Sequence, residues 1–152
     1  MTAANLAVSL ASALAKRFEG CYLWPYLCPA GVPTIGYGAT YYETGERVTL
    51  TDDPITKVQA DALLLWMVRT VYFPAVVRLC PAVSNPERLA ALVDFAFNLG
   101  AANLSASTLR RRVNSGQWDQ VPTELRKWNK SKGRELRGLV LRREAEVDLM
   151  NL

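Results

Sequence analysis

The first apolar positions of the chain recur every three or four residues, as they do on one face of a helix. This period predicts a helix over residues 3–18 that turns one set of side chains toward a core. These side chains are Leu6, Leu10, Ala13, Leu14 and Phe18. The segment has no basic region before it and no cleavage-site spacer before Lys16, so we interpret it as a folded helix and not as a secretory signal.

Residues 20–50 lose the helical period. Prolines and glycines interrupt short runs that are rich in Tyr, Thr and Val, which is typical of a small β-hairpin region. The interrupting residues are Pro25, Pro29, Gly31, Pro33, Gly36, Gly38 and Gly45. We therefore expect a small β lobe in this part of the chain.

Helical spacing returns after this region. Thr51-Asp52-Asp53-Pro54 predicts the start of a helix over residues 54–73, and Pro74 and Pro81 are expected to limit that helix and its successor. Its periodic positions are Val58, Ala62, Leu65, Trp66, Val68 and Arg69. Residues 86–98 follow the cap Ser84-Asn85-Pro86-Glu87 and are apolar nearly all round, which predicts a central core helix. Three more amphipathic helices are expected at Ser105–Asn114, Trp118–Lys127 and Arg134–Met150.

Together these elements predict an α+β fold in a single domain, residues 1–152. A small β lobe at about residues 20–50 faces a larger helical lobe, residues 1–19 and 51–152, across a cleft. The aromatic residues expected in the core of the helical lobe are Trp66, Phe95, Phe97 and Trp128. A chain of 152 residues that is half apolar and 21% charged can bury such a core, and this composition excludes a disordered chain.

The charge balance adds little to this picture. Eighteen Lys and Arg against fourteen Asp and Glu give a net charge of +4, which fits either an anionic cell-envelope polymer as partner or solubility alone. The run Leu109-Arg110-Arg111-Arg112 has no interleaved aromatic residues and no helix-turn-helix context, so we expect no nucleic-acid binding. No stretch reaches the ~20 uninterrupted apolar residues of a membrane span, so we expect no stable membrane insertion.

Three residues with complementary chemistry stand close together near the amino end. Glu19 is followed nine residues later by Cys28 and six residues after that by Thr34. Glycoside hydrolysis needs one acid that protonates the leaving oxygen and a second group that handles water. Each residue alone has a simpler interpretation, Glu19 as a solvated charge, Cys28 as a packed apolar residue and Thr34 as a strand residue. Their conjunction favours a catalytic site.

With its surrounding residues, this segment resembles the phage lysozymes of glycoside hydrolase family 24, which include T-even phage lysozyme and lambdoid-type endolysins. The family signature is a Glu, eight residues, an Asp or Cys, five residues and a Thr in a Thr-Ile-Gly-x-Gly hairpin, and residues 19–38 fit it without a gap. Ala39 is a departure, because many relatives have a His near this position and this chain has none. Other segments that resemble the family are Phe97–Gly100, Ser107–Arg110, Trp128–Lys130 and Gly138–Glu146.

The resemblance implies an inverting muramidase, an endolysin that cleaves the β-1,4 bond between N-acetylmuramic acid and N-acetylglucosamine in peptidoglycan and so causes host cell lysis. Glu19 would be the general acid, and Thr34 with Cys28 would hold the attacking water. One arginine should approach Glu19, and the spacing leaves open whether it is Arg134, Arg137, Arg142 or Arg143. The resemblance also implies substrate contacts by Tyr37, Asn98, Ser107, Thr108 and Arg143.

Two alternatives stay open beside the endolysin. The same reaction could serve a virion-associated lysozyme during entry, or a catalytically degenerate lysozyme domain could act as a wall-binding or interaction module. Cys28 in place of Asp is the only feature that favours degeneracy, and the intact Glu19 and Thr34 oppose it.

The cysteines add a redox question. In some relatives the pair that matches Cys21 and Cys28 forms a disulfide that masks the site, so the resemblance implies that mild oxidation could form the same bridge here, while the redox state of the pair stays open. Cys80, which precedes Pro81, is expected to be a packed core residue. With no His and three scattered thiols, the ligand set of a metal site is missing, and no cofactor is expected.

Several relatives carry an amino-terminal signal-anchor segment, and we recognise none in this chain. We therefore expect a monomer that stays in the host cytoplasm until a holin-type protein permeabilises the membrane. It would then act on the periplasmic cell wall.

Overall fold

The computed structural model describes all residues from Met1 to Leu152. Helix α1 spans Ala3–Phe18, as predicted. It begins where the Thr2 hydroxyl accepts a hydrogen bond from the Asn5 N–H (3.1 Å), and it ends where the Glu19 N–H donates to the Ala15 carbonyl (2.9 Å).

The predicted buried face of α1 is only partly right. Of the five predicted positions only Leu14 is buried; Ala13 is exposed, and the others are half-buried. The stripe that packs against the core consists mainly of small residues: Ala7, Val8, Ala11, Ser12, Leu14 and Ala15. Alanines let the helix approach its neighbour closely, so the larger leucines lie on the flanks of the contact.

The β lobe is built on one antiparallel hairpin. Strand β1, Tyr22–Leu27, pairs with strand β2, Pro33–Gly36. Four residue steps of β1, from Tyr22 to Tyr26, lie opposite two steps of β2, so β1 contains a bulge. Isolated bridges continue the lobe by joining Ile35 to Ala39 and Tyr41 to Arg47. The predicted hairpin region is confirmed.

The next helix starts later than predicted. Helix α2, Lys57–Met67, is capped by Thr56, which exchanges hydrogen bonds with Gln59 in a capping box. Asp52, predicted as part of the cap, instead accepts from the Thr49 N–H and hydroxyl (2.8 and 2.6 Å) in the preceding turn. The predicted face is also wrong at Val58, Ala62 and Leu65, which are exposed. The buried positions of α2 are Ala60, Leu63, Leu64 and Met67.

Pro74 does not end this helix. A π-helical turn, Val68–Tyr72, connects α2 to helix α3, Phe73–Leu79, and Pro74 lies in the first turn of α3. The wider π turn accommodates the proline ring and needs no N–H from residue 74. The continuous 23-residue helical segment Lys57–Leu79 contains an 18-residue window with a mean hydropathy of 1.5, so by length and composition it could cross a membrane, but core helices of soluble proteins meet the same criteria.

Helix α4, Pro86–Leu99, is the predicted central helix. Asn85 caps it by accepting from the Arg88 N–H (2.9 Å), and its eight consecutive residues 89–96 are all buried. It packs against α1, α3 and the last helix of the chain. Phe95 is fully buried, and the other predicted aromatic residues, Trp66, Phe97 and Trp128, are half-buried against the core.

The carboxy-terminal third is more divided than predicted. It contains α5 (Ala101–Ala106), α6 (Thr108–Asn114), a 3-10 turn (Trp118–Gln120), α7 (Val121–Arg126), β3 (Lys130–Ser131), β4 (Arg134–Glu135) and α8 (Arg137–Met150). Ser107 separates α5 from α6 because its hydroxyl donates to Leu104 O (2.7 Å) and accepts from the Arg110 N–H (3.0 Å). The last helix begins at residue 137 and not 134, since β3 and β4 form a second hairpin around Lys132 and Gly133, both at positive φ.

Candidate active site

Glu19 lies at the end of α1 with its side chain 29% exposed. Arg142 of α8 donates from Nη1 to Glu19 Oε1 at 2.7 Å. The same guanidinium donates to both carboxylate oxygens of Asp94 on α4, from Nε to Oδ2 (2.9 Å) and from Nη2 to Oδ1 (2.8 Å). Arg142 is therefore the arginine that contacts the acid, out of the four that the sequence left open.

The ion pairs continue behind Arg142. Arg143 is fully buried and donates from Nη2 to Asn98 Oδ1 (2.9 Å) and to Glu146 Oε1 (2.7 Å). Burial first, and then the nearby Asp94 carboxylate, raise the pKa of Glu146 well above its usual range, against the Arg143 charge. Glu146 Oε2 is buried without a hydrogen-bond partner, while Oε1 accepts from Arg143. The helical side of the site thus holds two arginines and three acidic side chains, Glu19, Asp94 and Glu146.

An open pocket of about 310 Å³ lies in front of Glu19. Its other lining residues are Phe18, Asn98, Leu136, Gly138, Leu139 and Arg142. The Arg142 guanidinium stacks over the Phe18 ring at 5.6 Å, which fixes the apolar side of the pocket. Asn98, predicted to contact substrate, lines the same pocket as the acid, and this placement supports the prediction.

Cys28 and Thr34 lie together on the β lobe. The Cys28 N–H donates to Val32 O (3.1 Å), and the buried Thr34 donates from Oγ1 to the same carbonyl (2.8 Å). Hydrogen bonds from Val32, then from Ala30 and the Thr34 hydroxyl, lower the pKa of the Cys28 thiol, although partial burial opposes them. The site therefore favours the thiolate, which can orient or deprotonate a water.

Tyr26 lies near both the acid, Glu19, and the water-handling residues, Cys28 and Thr34. Its Cα pairs with that of Thr34, so it occupies the strand position opposite the hydroxyl. Burial, and then the negative charges of Tyr22, Cys28 and Glu19, raise the pKa of Tyr26. The acid and the thiol therefore lie within electrostatic reach of one side chain, on the two sides of the cleft.

The implied Cys21–Cys28 bridge does not fit this arrangement. The two thiols do not share one loop; they flank β1, and all three cysteines are free. The β2 partners of Tyr22 and Leu27 are three residue steps apart, about 10 Å. Cys21 and Cys28 lie beyond those ends, whereas disulfide Cα atoms are usually within about 7 Å. A bridge would require β1 to leave β2. Cys80 is buried, as predicted.

Three of the residues predicted to contact substrate have internal partners instead. Arg143 is fully buried, and Ser107, 5% exposed, is occupied as the α6 cap, so neither offers a surface to a glycan. The Tyr37 ring is also buried; its hydroxyl donates to Asp61 Oδ1 (2.8 Å) and accepts from Lys57. Thr108 is half-buried and accepts from Arg111 Nη2 (2.7 Å), and its contact with substrate stays a prediction.

Sequence reasoning missed Asp94 and Tyr26. A signal for Asp94 was present: it is the only charged residue in the buried run 89–96, and a buried carboxylate needs a cationic partner. Tyr26 gave no comparable signal, since its place depends on the bulge in β1. No group of three or more His, Cys, Asp or Glu side chains is arranged to hold a metal ion.

Comparisons with known proteins agree with this geometry. The family profile described as "Phage lysozyme" matches residues 16–146. An endolysin of Acyrthosiphon pisum secondary endosymbiont phage 1 is 34% identical over 90% of this chain and 91% of its own length. The solved endolysin of Escherichia coli O157:H7 phage FAHEc1 is 31% identical, with a TM-score of 0.77 over 92% of this chain and 89% of its own.

A solved P22 lysozyme mutant has 27% identity and a TM-score of 0.79 over 93% of this chain and 95% of its own. These matches confirm the lysozyme-like α+β fold that the sequence predicted, with mostly helices and small two-stranded sheets. They also confirm that the chain is an endolysin-type glycoside hydrolase that lyses peptidoglycan. The chain belongs to the phage lysozyme family.

Proposed function

We propose that this protein hydrolyses the β-1,4 bond between N-acetylmuramic acid and N-acetylglucosamine with inversion, using Glu19 as acid and Cys28 with Thr34 as the water-handling pair. The observation that carries the proposal is the fixation of Glu19 by the buried Arg142 at an open pocket, with Tyr26 of the β lobe in electrostatic reach of both Glu19 and the hydrogen-bonded Cys28 thiol. The separation of the two functions across a cleft fits attack from the face opposite the leaving group.

Arg142 leaves Glu19 one oxygen for catalysis. The 2.7 Å hydrogen bond occupies Oε1, so the proton that the acid delivers is carried on Oε2. Because Asp94 already pairs with the same guanidinium, Arg142 is shared between two carboxylates and orients Glu19 without a full positive charge of its own. This arrangement fixes the direction of proton transfer.

The reaction proceeds in one displacement. Glu19 Oε2 donates its proton to the glycosidic oxygen as the bond to the anomeric carbon breaks. A water that donates one hydrogen bond to Thr34 Oγ1 and the other to the Cys28 thiolate attacks that carbon from the far face and gives its proton to the thiolate. The products are an N-acetylmuramic acid hemiacetal of inverted configuration and a free 4-hydroxyl, and proton exchange with solvent restores Glu19 and Cys28.

The route to the substrate is part of the proposal. Several relatives are described as SAR-endolysins, for instance that of Enterobacteria phage P21, which is 33% identical over 86% of this chain. We propose that this protein collects in the host cytoplasm and reaches the periplasmic wall after a separate holin-type protein permeabilises the membrane. Expression in Gram-negative cells should then clear the culture only after chloroform treatment, and clearing without treatment would contradict this route.

The catalytic assignment is tested by Glu19→Gln, with Glu43→Gln as the matched control, since Glu43 is an exposed acid of the β lobe. Release of reducing ends from purified sacculi should fall by about 10²–10⁴-fold in Glu19→Gln, because an amide cannot supply the proton. Glu43→Gln should match the parent. A Glu19→Gln protein with a tenth of the parent activity and an unchanged melting temperature would contradict the mechanism.

A parent protein that binds sacculi but releases no reducing ends would instead favour the degenerate wall-binding module. The configuration of the new hemiacetal, read by proton NMR within the first minutes of digestion, separates inversion from retention. A retained anomer would exclude the single displacement.

A further inference from the structure

Two tyrosines of β1 form a contact that the catalytic residues do not explain. The rings of Tyr22 and Tyr26 have centroids 4.4 Å apart and planes tilted by 42°. Residues four apart share one face of a regular strand at a distance of about 13 Å, and the bulge in β1 shortens this separation because four steps of β1 lie opposite two steps of β2. Tyr26 is half-buried, but Tyr22 remains 52% exposed although it is a large aromatic side chain.

Gly20 fixes the position of this pair relative to the acid. A Cβ atom added at Gly20 would lie 2.9 Å from Cε2 of the Tyr22 ring, so the ring lies directly against the backbone that follows Glu19. At the other end of the pair, Tyr26 pairs with Thr34 across the hairpin. The two rings therefore cover the β-lobe surface between the acid and the water-handling residues.

We propose that Tyr22 and Tyr26 form an aromatic subsite that stacks against the apolar face of an N-acetylhexosamine ring of the glycan strand. The inference rests on the proposed function and names the wall of the cleft that binds the sugar. A β-linked hexosamine with equatorial substituents presents axial C–H groups on its ring faces, and an aromatic face covers such a surface with little loss of side-chain entropy. The Tyr22 side chain is 52% exposed, so part of its ring is available to a ligand.

A general apolar adhesion surface is the competing explanation. Trp24, 67% exposed, and Leu27, 55% exposed, belong to the same strand, and an exposed apolar patch can adhere to many surfaces. The position of the rings distinguishes a sugar subsite from a general adhesion surface. Tyr22 contacts Tyr26 and the Gly20 backbone beside Glu19, whereas the Trp24 ring contacts no other aromatic ring. Trp24 is thus the matched control for Tyr22.

The test compares Tyr22→Ala, Tyr22→Phe and Trp24→Ala in the hydrolysis of soluble glycan strands, with KM and kcat measured separately by reducing-end release. Loss of one stacking ring should raise KM about three- to tenfold in Tyr22→Ala, with kcat within a factor of about two. Tyr22→Phe should keep the parent KM, because the ring and not the hydroxyl makes the contact. Trp24→Ala should also keep it.

An unchanged KM in Tyr22→Ala would overturn the proposal, and so would an equal rise in Trp24→Ala, which would indicate adhesion. If Tyr22→Ala fails to fold, Tyr22→Leu serves the same purpose. Binding of triacetylchitotriose, followed by NMR saturation transfer from tyrosine ring protons, should occur in the parent and be lost in Tyr22→Leu. This measurement does not need turnover, so binding without reducing-end release would contradict the proposed function and leave the subsite standing.

Discussion

The two walls of the cleft are built on different principles. On the helical side, Glu19 is held by Arg142, which is 3% exposed and contacts the fully buried Asp94 side chain, with Arg143 and Glu146 behind it. On the β side, Cys28 follows β1 and its N–H donates to Val32 O, while Thr34 lies in β2 and its hydroxyl donates to the same carbonyl. One wall depends on buried charge and the other on local chain geometry.

This difference matches the separate requirements of the acid and of the water-handling group. The acid must keep one orientation relative to the scissile oxygen, and a buried arginine with two carboxylate partners has no alternative partners to move toward. The Cys28 thiol must meet solvent and exchange protons, and its half-buried position in the turn after β1 allows both. Substitutions of the buried residues behind Glu19 on the helical side should therefore cost stability, while those of Cys28 and Thr34 should cost activity.

The largest effect is expected on the helical side, from Asp94→Ala. Removal of this carboxylate leaves Arg142 buried with one partner fewer, and breaking a buried ion pair typically costs about 3–5 kcal/mol of unfolding free energy. Glu144→Ala is the control, because its pair with Arg126 is exposed and should contribute less than about 1 kcal/mol. Urea titration of both variants measures the contrast, and similar losses would show that burial does not distinguish them.

The position of Asp94 illustrates what the sequence could and could not reveal. Glu19, Cys28 and Thr34 are joined by a single hairpin, so their spacing alone predicts a common site. Arg142 is 123 residues from Glu19, and its selection among four arginines depends on where α8 begins and how it is rotated. Periodicity assigned α8 a start at residue 134, three residues before its actual start, and so could not fix that rotation.

The errors in the helix faces have a related cause. Periodicity gives most weight to large apolar residues, but α1 packs mainly through alanines, and α2 exposes Val58 at 77%. Close helix packing selects small residues, which a hydrophobic pattern scores weakly. The central helix α4 was predicted well because it is buried on every side over residues 89–96, so no face had to be chosen.

The next effect concerns the β wall and is catalytic. Cys28→Ala should lower kcat by about 10²-fold, since a methyl group can neither orient nor deprotonate water. Cys28→Asp should remain active and resist iodoacetamide, because a carboxylate can take the role of the thiolate. The control is Cys80→Ala, which should reduce the melting temperature and leave kcat near the parent value, since Cys80 is buried in the core. A fully active Cys28→Ala variant would show that Cys28 has no catalytic role and serves only in packing.

A smaller effect is expected where the β lobe joins the helices. The Tyr37 hydroxyl donates to Asp61 Oδ1 at 2.8 Å, and Lys57 donates to the same carboxylate oxygen at 2.9 Å. Tyr37→Phe should therefore cost about 1 kcal/mol of unfolding free energy. Tyr41→Phe is the control, because Tyr41 is exposed and its hydroxyl makes no hydrogen bond within the protein. Equal losses in the two variants would contradict the assigned contact.

The same contact has a pH signature. The Lys57 ammonium, and then the Tyr37 hydroxyl, lower the pKa of Asp61 to about 2. A carboxyl whose pKa is lowered on folding contributes stability above its unfolded pKa and loses it as the pH falls toward the folded value. The contribution of Asp61 should thus be present above about pH 4 and disappear between about pH 4 and pH 2. Acid titration of Asp61→Asn should show a weaker loss of stability over that interval than the parent.

The finest contrast is between the Cys28 thiol of the β wall and the Cys80 thiol in the core of the helical lobe. Burial raises the pKa of Cys80 to about 11, whereas backbone hydrogen bonds, led by that of Val32, lower the pKa of Cys28. In the folded protein, iodoacetamide should modify Cys28 with a pH midpoint below that of a free cysteine, and Cys80 should react only after unfolding. Peptide mass mapping across a pH series measures both. Modification of Cys80 at the rate of Cys28 in the native protein would contradict the difference in environment.

Oxidation then separates a mixed disulfide from an internal bridge. Because β1 holds Cys21 and Cys28 at its opposite ends, oxidised glutathione should inactivate the protein by attaching to Cys28, and reductant should restore lysis. Cys21→Ser should be inactivated to the same extent as the parent, while Cys28→Asp should be resistant. An internal Cys21–Cys28 link found by mass spectrometry, together with protection by Cys21→Ser, would show that β1 leaves β2 readily in solution. The β side of the cleft would then act as a conformational switch. The bridge would move the Cys28 thiol away from Thr34, while the buried contacts of Glu19 stayed in place.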